Sequence, residues 1–362
     1  MTKVVYNSVI NTKTDVNDMN NMNNRQMRPS RQSNVPAGSY TSNFTIICVI
    51  FICVLLLANF KIFSSIITGN PEIITTPVAI SEEKRVEDSK TESEKALEAD
   101  IKNNFARVNV SFDDTKAGNL ILVGNNNAFD FNSSPRAVVK HPLVSIFSKK
   151  NDNYVVSYNT ETMTSEAILA FNALTEDFKA ATGISDLIIL DSYRSYEDQE
   201  RVYANKGGDI ATVPGHSEHH TGLAFDLSLY RSGIVHDFDG SGDYEWIFRN
   251  CHKYGYVLRY PADKTEITGI SYEPWHYRYV GKEHAYYMYT NNLCLEEYIS
   301  ILENYPINSG RLHVETDSGE KYMIYSVAVS EGGDEIPVPN NYEYTLSGDN
   351  NGHVIVSAVI TE

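Results

Sequence analysis

The sequence is short of cysteine, with four in 362 residues, and two of these, Cys48 and Cys53, sit inside an apolar run. The other two, Cys251 and Cys294, are too few for a disulfide framework; one bridge and two free thiols both stay open. No Cys-x-x-Cys pair occurs, so a thiolate zinc site is not expected. Positive charge is also scarce. Against 47 Asp and Glu stand 30 Lys and Arg, a formal charge of -17, and nucleic-acid binding needs the opposite sign. No internal repeat is visible. No small-residue cleavage site of the A-x-A type closely follows the apolar run, which argues against a cleaved signal peptide.

What is present begins with an uneven charge distribution. Residues 1–43 are rich in Asn, Ser and Thr and carry five Lys and Arg against two Asp, so the rest of the chain stands at about -20. This stretch reads as a disordered cytoplasmic tail. Residues 44–63 form an almost unbroken apolar run of the length that crosses a bilayer as a helix. The basic residues precede it, which predicts a cytoplasmic N-terminus and an extracellular remainder. Residues 64–104 then form a densely charged stalk or linker.

Hydrophobic residues make up 42% of the chain, enough for a globular body, which is expected from Phe105. Ile168, Phe171, Leu174 and Phe178 recur at helical spacing and predict a helix over 164–182, stopped by Gly183. Leu187–Leu190 reads as a buried strand. A second helix is expected after Ser195, ending near Gly207, and a third over 243–254. Residues 223–230 alternate, with Leu223, Phe225, Leu227 and Leu229 on one face and Ala224, Asp226 and Ser228 on the other. Residues 256–260 and 268–272 are expected to pair as strands, and 282–289 and 295–304 to be helical. From 307 to 362, short alternating runs separated by Gly, Asp and Asn turns predict a small β appendage.

Two stretches carry chemistry: Pro214-Gly-His-Ser-Glu-His-His-Thr-Gly-Leu-Ala-Phe-Asp226 and Glu273-Pro-Trp-His-Tyr-Arg278. A hydrolytic zinc site needs three protein ligands and an open position. His219, Asp226 and His276 supply two imidazoles and a carboxylate, and small residues at Gly222 and Ala224 leave room beside Asp226. Glu273 and His276 would face opposite ways on a regular strand, so a bent segment is predicted that brings both to the metal. Glu273 is then the general base, since zinc brings the pKa of water down to about 7. Asp237-Phe-Asp-Gly-Ser-Gly-Asp243 is no calcium loop, because Phe248 stands where an EF-hand needs its acid.

The combination Ser-x-His-x-x-Gly-x-Ala-x-Asp followed by Glu-Pro-Trp-His resembles the VanY-type D-alanyl-D-alanine carboxypeptidases. The likeness runs upstream to Asp191-Ser-Tyr-Arg-Ser-Tyr-Glu-Asp-Gln199 and downstream to Gly281, over roughly residues 140–300. It implies an α+β fold, a small antiparallel sheet with surrounding helices, over residues 105–306. It also implies one zinc held by His219, Asp226 and His276, with Glu273 as base and Arg194 stabilising the oxyanion. Gln199 and Ser217 would hold the substrate backbone or carboxylate. The bland readings are a surface salt bridge for Arg194, a solvated helix residue for Gln199 and a turn residue for Ser217. His216 stands where the family often has an aromatic residue; it is expected to line the cleft or touch substrate, not to be a ligand, and His220 is expected to point elsewhere. The implied substrate is a peptidoglycan stem peptide. Two alternatives stay open: an LD-carboxypeptidase acting on tetrapeptide stems, and a non-catalytic wall-binding module.

Overall fold

A computed structural model describes residues 91–132, 142–208 and 211–361. The expected tail, the apolar run 44–63 and most of the stalk lie outside the described residues, as do Cys48 and Cys53. Among the described residues no helix is long and apolar enough to cross a membrane.

The end of the expected stalk is a built element. Helix α1 (Glu92–Asn104) opens with a reciprocal capping box: the Thr91 hydroxyl accepts from the Glu94 amide while the Glu94 carboxylate accepts from the Thr91 amide. Its Leu97 and Ile101 pack into a core with the C-terminal strands, which corrects the reading of the whole stalk as a spacer. Strand β1 (Phe105–Val110) follows directly.

The main sheet is mixed, where an antiparallel one was expected. It contains β3 (Tyr154–Val156), β5 (Leu187–Asp191), β6 (Ala224–Arg231), β9 (His276–Tyr279) and β8 (Tyr256–Leu258) in that order, with β7 (Ile234–Asp237) also pairing β6. The β3–β5 pair is parallel and the other pairs are antiparallel. The separate strands β2 (Leu143–Ser145) and β4 (Thr162–Thr164) pair with each other. β8 pairs with β9 and not with 268–272, which holds the end of the one-turn helix Thr265–Thr268 and a loop. The polar, Gly-containing stretch there offers no row of apolar side chains to bury against a partner strand.

Helix α2 (Ser165–Thr182) forms where its spacing predicts. Thr164 caps its start by accepting from the Ala167 amide, and Gly183 ends it at φ 75°, a left-handed conformation that glycine adopts without a Cβ clash. Its buried Phe171 lies 4.6 Å from Phe225, centroid to centroid, so the apolar face of β6 is covered by the helix. Helix α3 (Tyr196–Lys206) starts at a second capping box on Ser195 and Asp198. The helix expected over 243–254 is a shorter α4 (Glu245–Asn250) between two 3-10 turns.

The C-terminal strands are β10 (Leu312–Glu315), β11 (Lys321–Ala328), β12 (Asp334–Pro339), β13 (Tyr344–Gly348) and β14 (His353–Ile360). They build an antiparallel sheet in the order β10-β11-β14-β13, while β12 pairs with β1 from the far end of the described chain. This region has no core of its own on one side. Leu312, Val314, Ile324 and Ile355 share a cluster with Leu295, Tyr298, Ile299 and Leu302 of α6 (Leu295–Leu302) and with Ala285 and Met288 of α5 (Lys282–Thr290). The expected boundary at 306/307 therefore does not separate two cores. Cys251 and Cys294 are buried free thiols.

Ile324 is fully buried in that shared cluster. Ile324→Ala is expected to cost about 2–5 kcal/mol and to lower the melting temperature of the whole body in one transition. Calorimetry showing two transitions, with only one displaced, would establish an independent appendage.

Candidate metal centre and cleft

The register of the main sheet assembles the site. Asp226 of β6 faces His276 of β9 on one side and Asp191 of β5 on the other, so three functional side chains share one row across three strands. A bulge between Ile189 and Asp191 shifts β5 at this point. His219 comes from a 3-10 turn, Glu218–Thr221, closed by Gly222 at φ 66°. A Cβ on Gly222 would stand 2.2 Å from Leu143 Cδ2, so a larger residue would make Leu143 shift and would strain a backbone held at positive φ.

His219 Nε2 lies 3.5 Å and His276 Nδ1 2.8 Å from Asp226 Oδ1. The ligand atoms of all three residues lie within 4.8 Å of one another. Tetrahedral zinc with bonds of about 2.0–2.2 Å needs donors about 3.3–3.6 Å apart, so the set fits the ion with small adjustments. The back side of each ring fits too. His219 Nδ1 is 2.6 Å from the Ser192 carbonyl, which accepts its proton and leaves Nε2 as the donor atom. The segment 273–276 is a turn closed by the His276 amide on the Glu273 carbonyl, and it brings Glu273 Oε2 to 3.9 Å from His276 Nδ1. This is the predicted bend.

Electrostatics agree with a cation site. Burial acts against the charge of Asp226, but His219 and His276 hold its carboxyl well below the usual range. His276 is pushed up to about 9: burial disfavours its charged form, and the flanking Asp226 and Glu218 outweigh that. The same negative surroundings favour a metal ion. Glu273 is shifted upward, chiefly by burial, which makes it a better proton acceptor than a solvated carboxylate.

These groups border a cleft of 340 Å³, whose walls include Arg194, Gln199, Ser217, Tyr260, Glu273 and Trp275. Asn125 donates to the Gly269 carbonyl at 3.2 Å, linking the chain segments on which these two cleft residues lie. Arg194 is not a surface residue. Asp191 Oδ2 accepts from its Nε at 2.9 Å and its Nη2 at 2.7 Å, and Gln199 Oε1 accepts from Nη1 at 3.0 Å. Gln199 is fully buried, and its Nε2 donates to the Thr212 carbonyl at 2.7 Å. Both ends of Gln199 are therefore engaged, which suits a support for Arg194 better than the direct substrate contact expected for it. Ser217 is buried and lines the cleft. His216 is tied to the Gly124 carbonyl at 2.7 Å and is absent from the cleft wall, contrary to expectation. His220 points elsewhere, as expected: its ring sits 2.8 Å from the Arg194 carbonyl and accepts from the Gly215 amide.

Sequence reasoning missed two residues here. Tyr260 packs against His276 with ring centroids 4.9 Å apart and planes inclined at 37°. Glu218, with a fully buried side chain, contacts His276 from behind at 3.3 Å and bonds Arg259 and Arg278. An acid beside a ligand histidine, with arginines inside apolar strand sequence, was the available signal. The second cluster of metal-ligating types among the described residues, Glu303, Asp349 and His353, is used up locally. Asp349 accepts from the amides of Asn351 and His353 with one oxygen and bonds the His353 ring with the other.

Comparison with known proteins adds the following. The family model described as VanY, D-alanyl-D-alanine carboxypeptidase, matches residues 160–282. A D-alanyl-D-alanine carboxypeptidase of Enterococcus faecium is 35% identical over 244 residues, covering 66% of this chain and 75% of that protein. The bifunctional D-Ala-D-Ala dipeptidase and D-Ala-D-Ala carboxypeptidase VanXYC of Enterococcus gallinarum is 40% identical over 131 residues, covering 33% of this chain and 69% of that one. Among solved structures, the vancomycin-resistance D,D-dipeptidase VanXYg in complex with a D-Ala-D-Ala phosphinate analogue is similar with a TM-score of 0.62 at 29% identity. It covers 71% of this chain and 99% of that one.

The geometry predicts about one zinc per chain. Elemental analysis of the full chain should find it in the wild type and lose it in His219→Ala and His276→Ala. A second equivalent surviving in those variants would mean that the cluster at Asp349 also binds.

Proposed function

We infer the activity from one premise: the chain belongs to the VanY family of D-alanyl-D-alanine carboxypeptidases. It is a zinc-dependent hydrolase that removes the C-terminal D-alanine from peptidoglycan stem peptides. The observation that carries this reading is the meeting of His219, Asp226 and His276 in one cleft with Glu273 and Arg194.

Zinc would be held by His219, Asp226 and His276, and when bound it supplies Lewis acidity that polarises a carbonyl and acidifies water. The chain's own groups do the rest. Glu273 Oε2 accepts a proton from the attacking water. The same carboxyl then donates it to the nitrogen of the departing D-alanine, so the proton lost by water ends on the leaving amine. Arg194 lines the same cleft and offers a fixed positive charge to the oxygen that becomes negative as the carbonyl is attacked. Asp191 and Gln199 hold that guanidinium at two edges, so it need not reorganise during the reaction. Ser217 completes the wall toward the substrate backbone. The acidity of the chain is no obstacle, because zinc and Arg194 make the reacting point positive.

Residues 44–63 would anchor the protein in the cell membrane, with residues 1–43 in the cytoplasm and the catalytic body outside. The support is the apolar run and the Lys and Arg residues that precede it.

Release of D-alanine from a peptide ending in D-Ala-D-Ala, with bound zinc measured in parallel, tests this reading on the full chain. Glu273→Gln should keep zinc and lose about 10²–10⁴-fold in kcat. Arg194→Lys should keep zinc and lose about 10²–10³-fold. A zinc-loaded wild type that cleaves a tetrapeptide stem and leaves the pentapeptide intact would move the assignment to the L,D bond.

A further inference from the structure

Behind the metal centre lies a group of charges that the reaction does not touch. The side chains of Glu218, Arg259 and Arg278 have no solvent exposure. Glu218 Oε1 accepts from Arg259 Nε at 2.7 Å and from Arg278 Nη1 at 2.8 Å. Glu296 on α6 grips the other edge of Arg259 with both oxygens, at 2.7 and 2.8 Å. Arg278 Nη2 donates to the carbonyls of Asn119 and Ile121, both at 2.9 Å. Two positive and two negative groups thus neutralise one another, and one atom is left over for another use: Glu218 Oε2 faces His276 Nε2 at 3.3 Å.

A buried ion cluster of this kind is weak support for stability. Removing such charges from water is costly, and apolar residues of the same volume would often serve the core better. Its geometry points to a different use. His276 turns Nδ1 toward Asp226 and Glu273, so a metal there needs the proton on Nε2. Glu218 is the acceptor at Nε2. The two histidines then present different atoms, Nε2 of His219 backed by a carbonyl and Nδ1 of His276 backed by a carboxylate.

We propose that Glu218, clamped by Arg259 and Arg278, is a positioning residue that fixes the tautomer and ring orientation of His276 for zinc. This rests on the zinc carboxypeptidase reading above. Through Arg259 and Glu296 the support extends to α6, and through Arg278 to segment 117–123, both of which pack against the C-terminal strands. The C-terminal region then contributes to metal binding without touching the metal.

The test measures the zinc dissociation constant of the full chain by competition with a chromophoric chelator, beside the melting temperature and the visible spectrum of the cobalt-substituted protein. In Glu218→Gln the amide can still accept from the arginines, but its NH₂ can face His276 and move the ring proton to Nδ1. The expected result is zinc binding weakened by about 10- to 100-fold in a folded protein, with an altered cobalt spectrum. If Glu218→Gln does not fold, Glu218→Asp carries the same measurement, because it keeps the charge and withdraws it from His276. Zinc binding within about twofold of wild type, with or without a lower melting temperature, overturns the proposal and leaves Glu218 a structural ion. A wild type that binds no zinc would instead overturn the underlying functional reading.

Discussion

The site depends on strand register. Asp226 stands opposite His276 across one ladder and opposite Asp191 across the next, so two of the candidate metal ligands and the anchor of Arg194 are set by the same backbone hydrogen bonds. Because side chains alternate along a strand, a slip of one residue would turn Asp226 into the core and Phe225 into the cleft. The packing of Phe225 against Phe171 of α2 resists that slip. The apolar face of β6 thus fixes the position of its polar face.

The second constraint is charge held in dry surroundings. Asp226, Glu218 and Glu273 lie close to one another, with Arg194 on one side and Arg259 and Arg278 on the other. Each carboxylate has a different local partner, and so they are tuned differently. Glu218 is held well below the usual range: burial opposes its charge, but Arg259, Arg278 and His276 prevail. Among the described residues no arginine is bonded to Glu273, which is shifted upward chiefly by burial. One acid stays a fixed charge while the other is able to exchange a proton.

Much of this was legible in the sequence because it is local. Periodicity and capping residues placed α2 and α3 at their ends, since Thr164, Ser195 and Gly183 act within one turn of themselves. The candidate ligand set was legible because zinc chemistry limits residue types and because the motifs around Asp226 and His276 resemble those of the VanY family. What escaped depends on distant parts of the chain. The pairing of β8 with β9, and not with 268–272, is decided by tertiary contact. So is the placing of Glu218 beside Arg259 and Arg278, 41 and 60 residues away. The domain boundary at 306/307 was drawn where composition changes, but composition says nothing about whose side chains fill the shared core.

The pairing of β1 with β12 has a consequence for how the protein comes into being. The two strands lie at opposite ends of the described chain, with a bond from Arg107 to Glu335 spanning 228 residues. A ribosome releases β1 long before β12 exists, so β1 and the apolar face of α1 must wait, unpaired, until nearly the last strand has been made. Closing so long a loop is slow compared with local helix formation. The contacts that build the candidate metal site close shorter loops than the β1–β12 pairing, which joins strands near the two limits of the described residues.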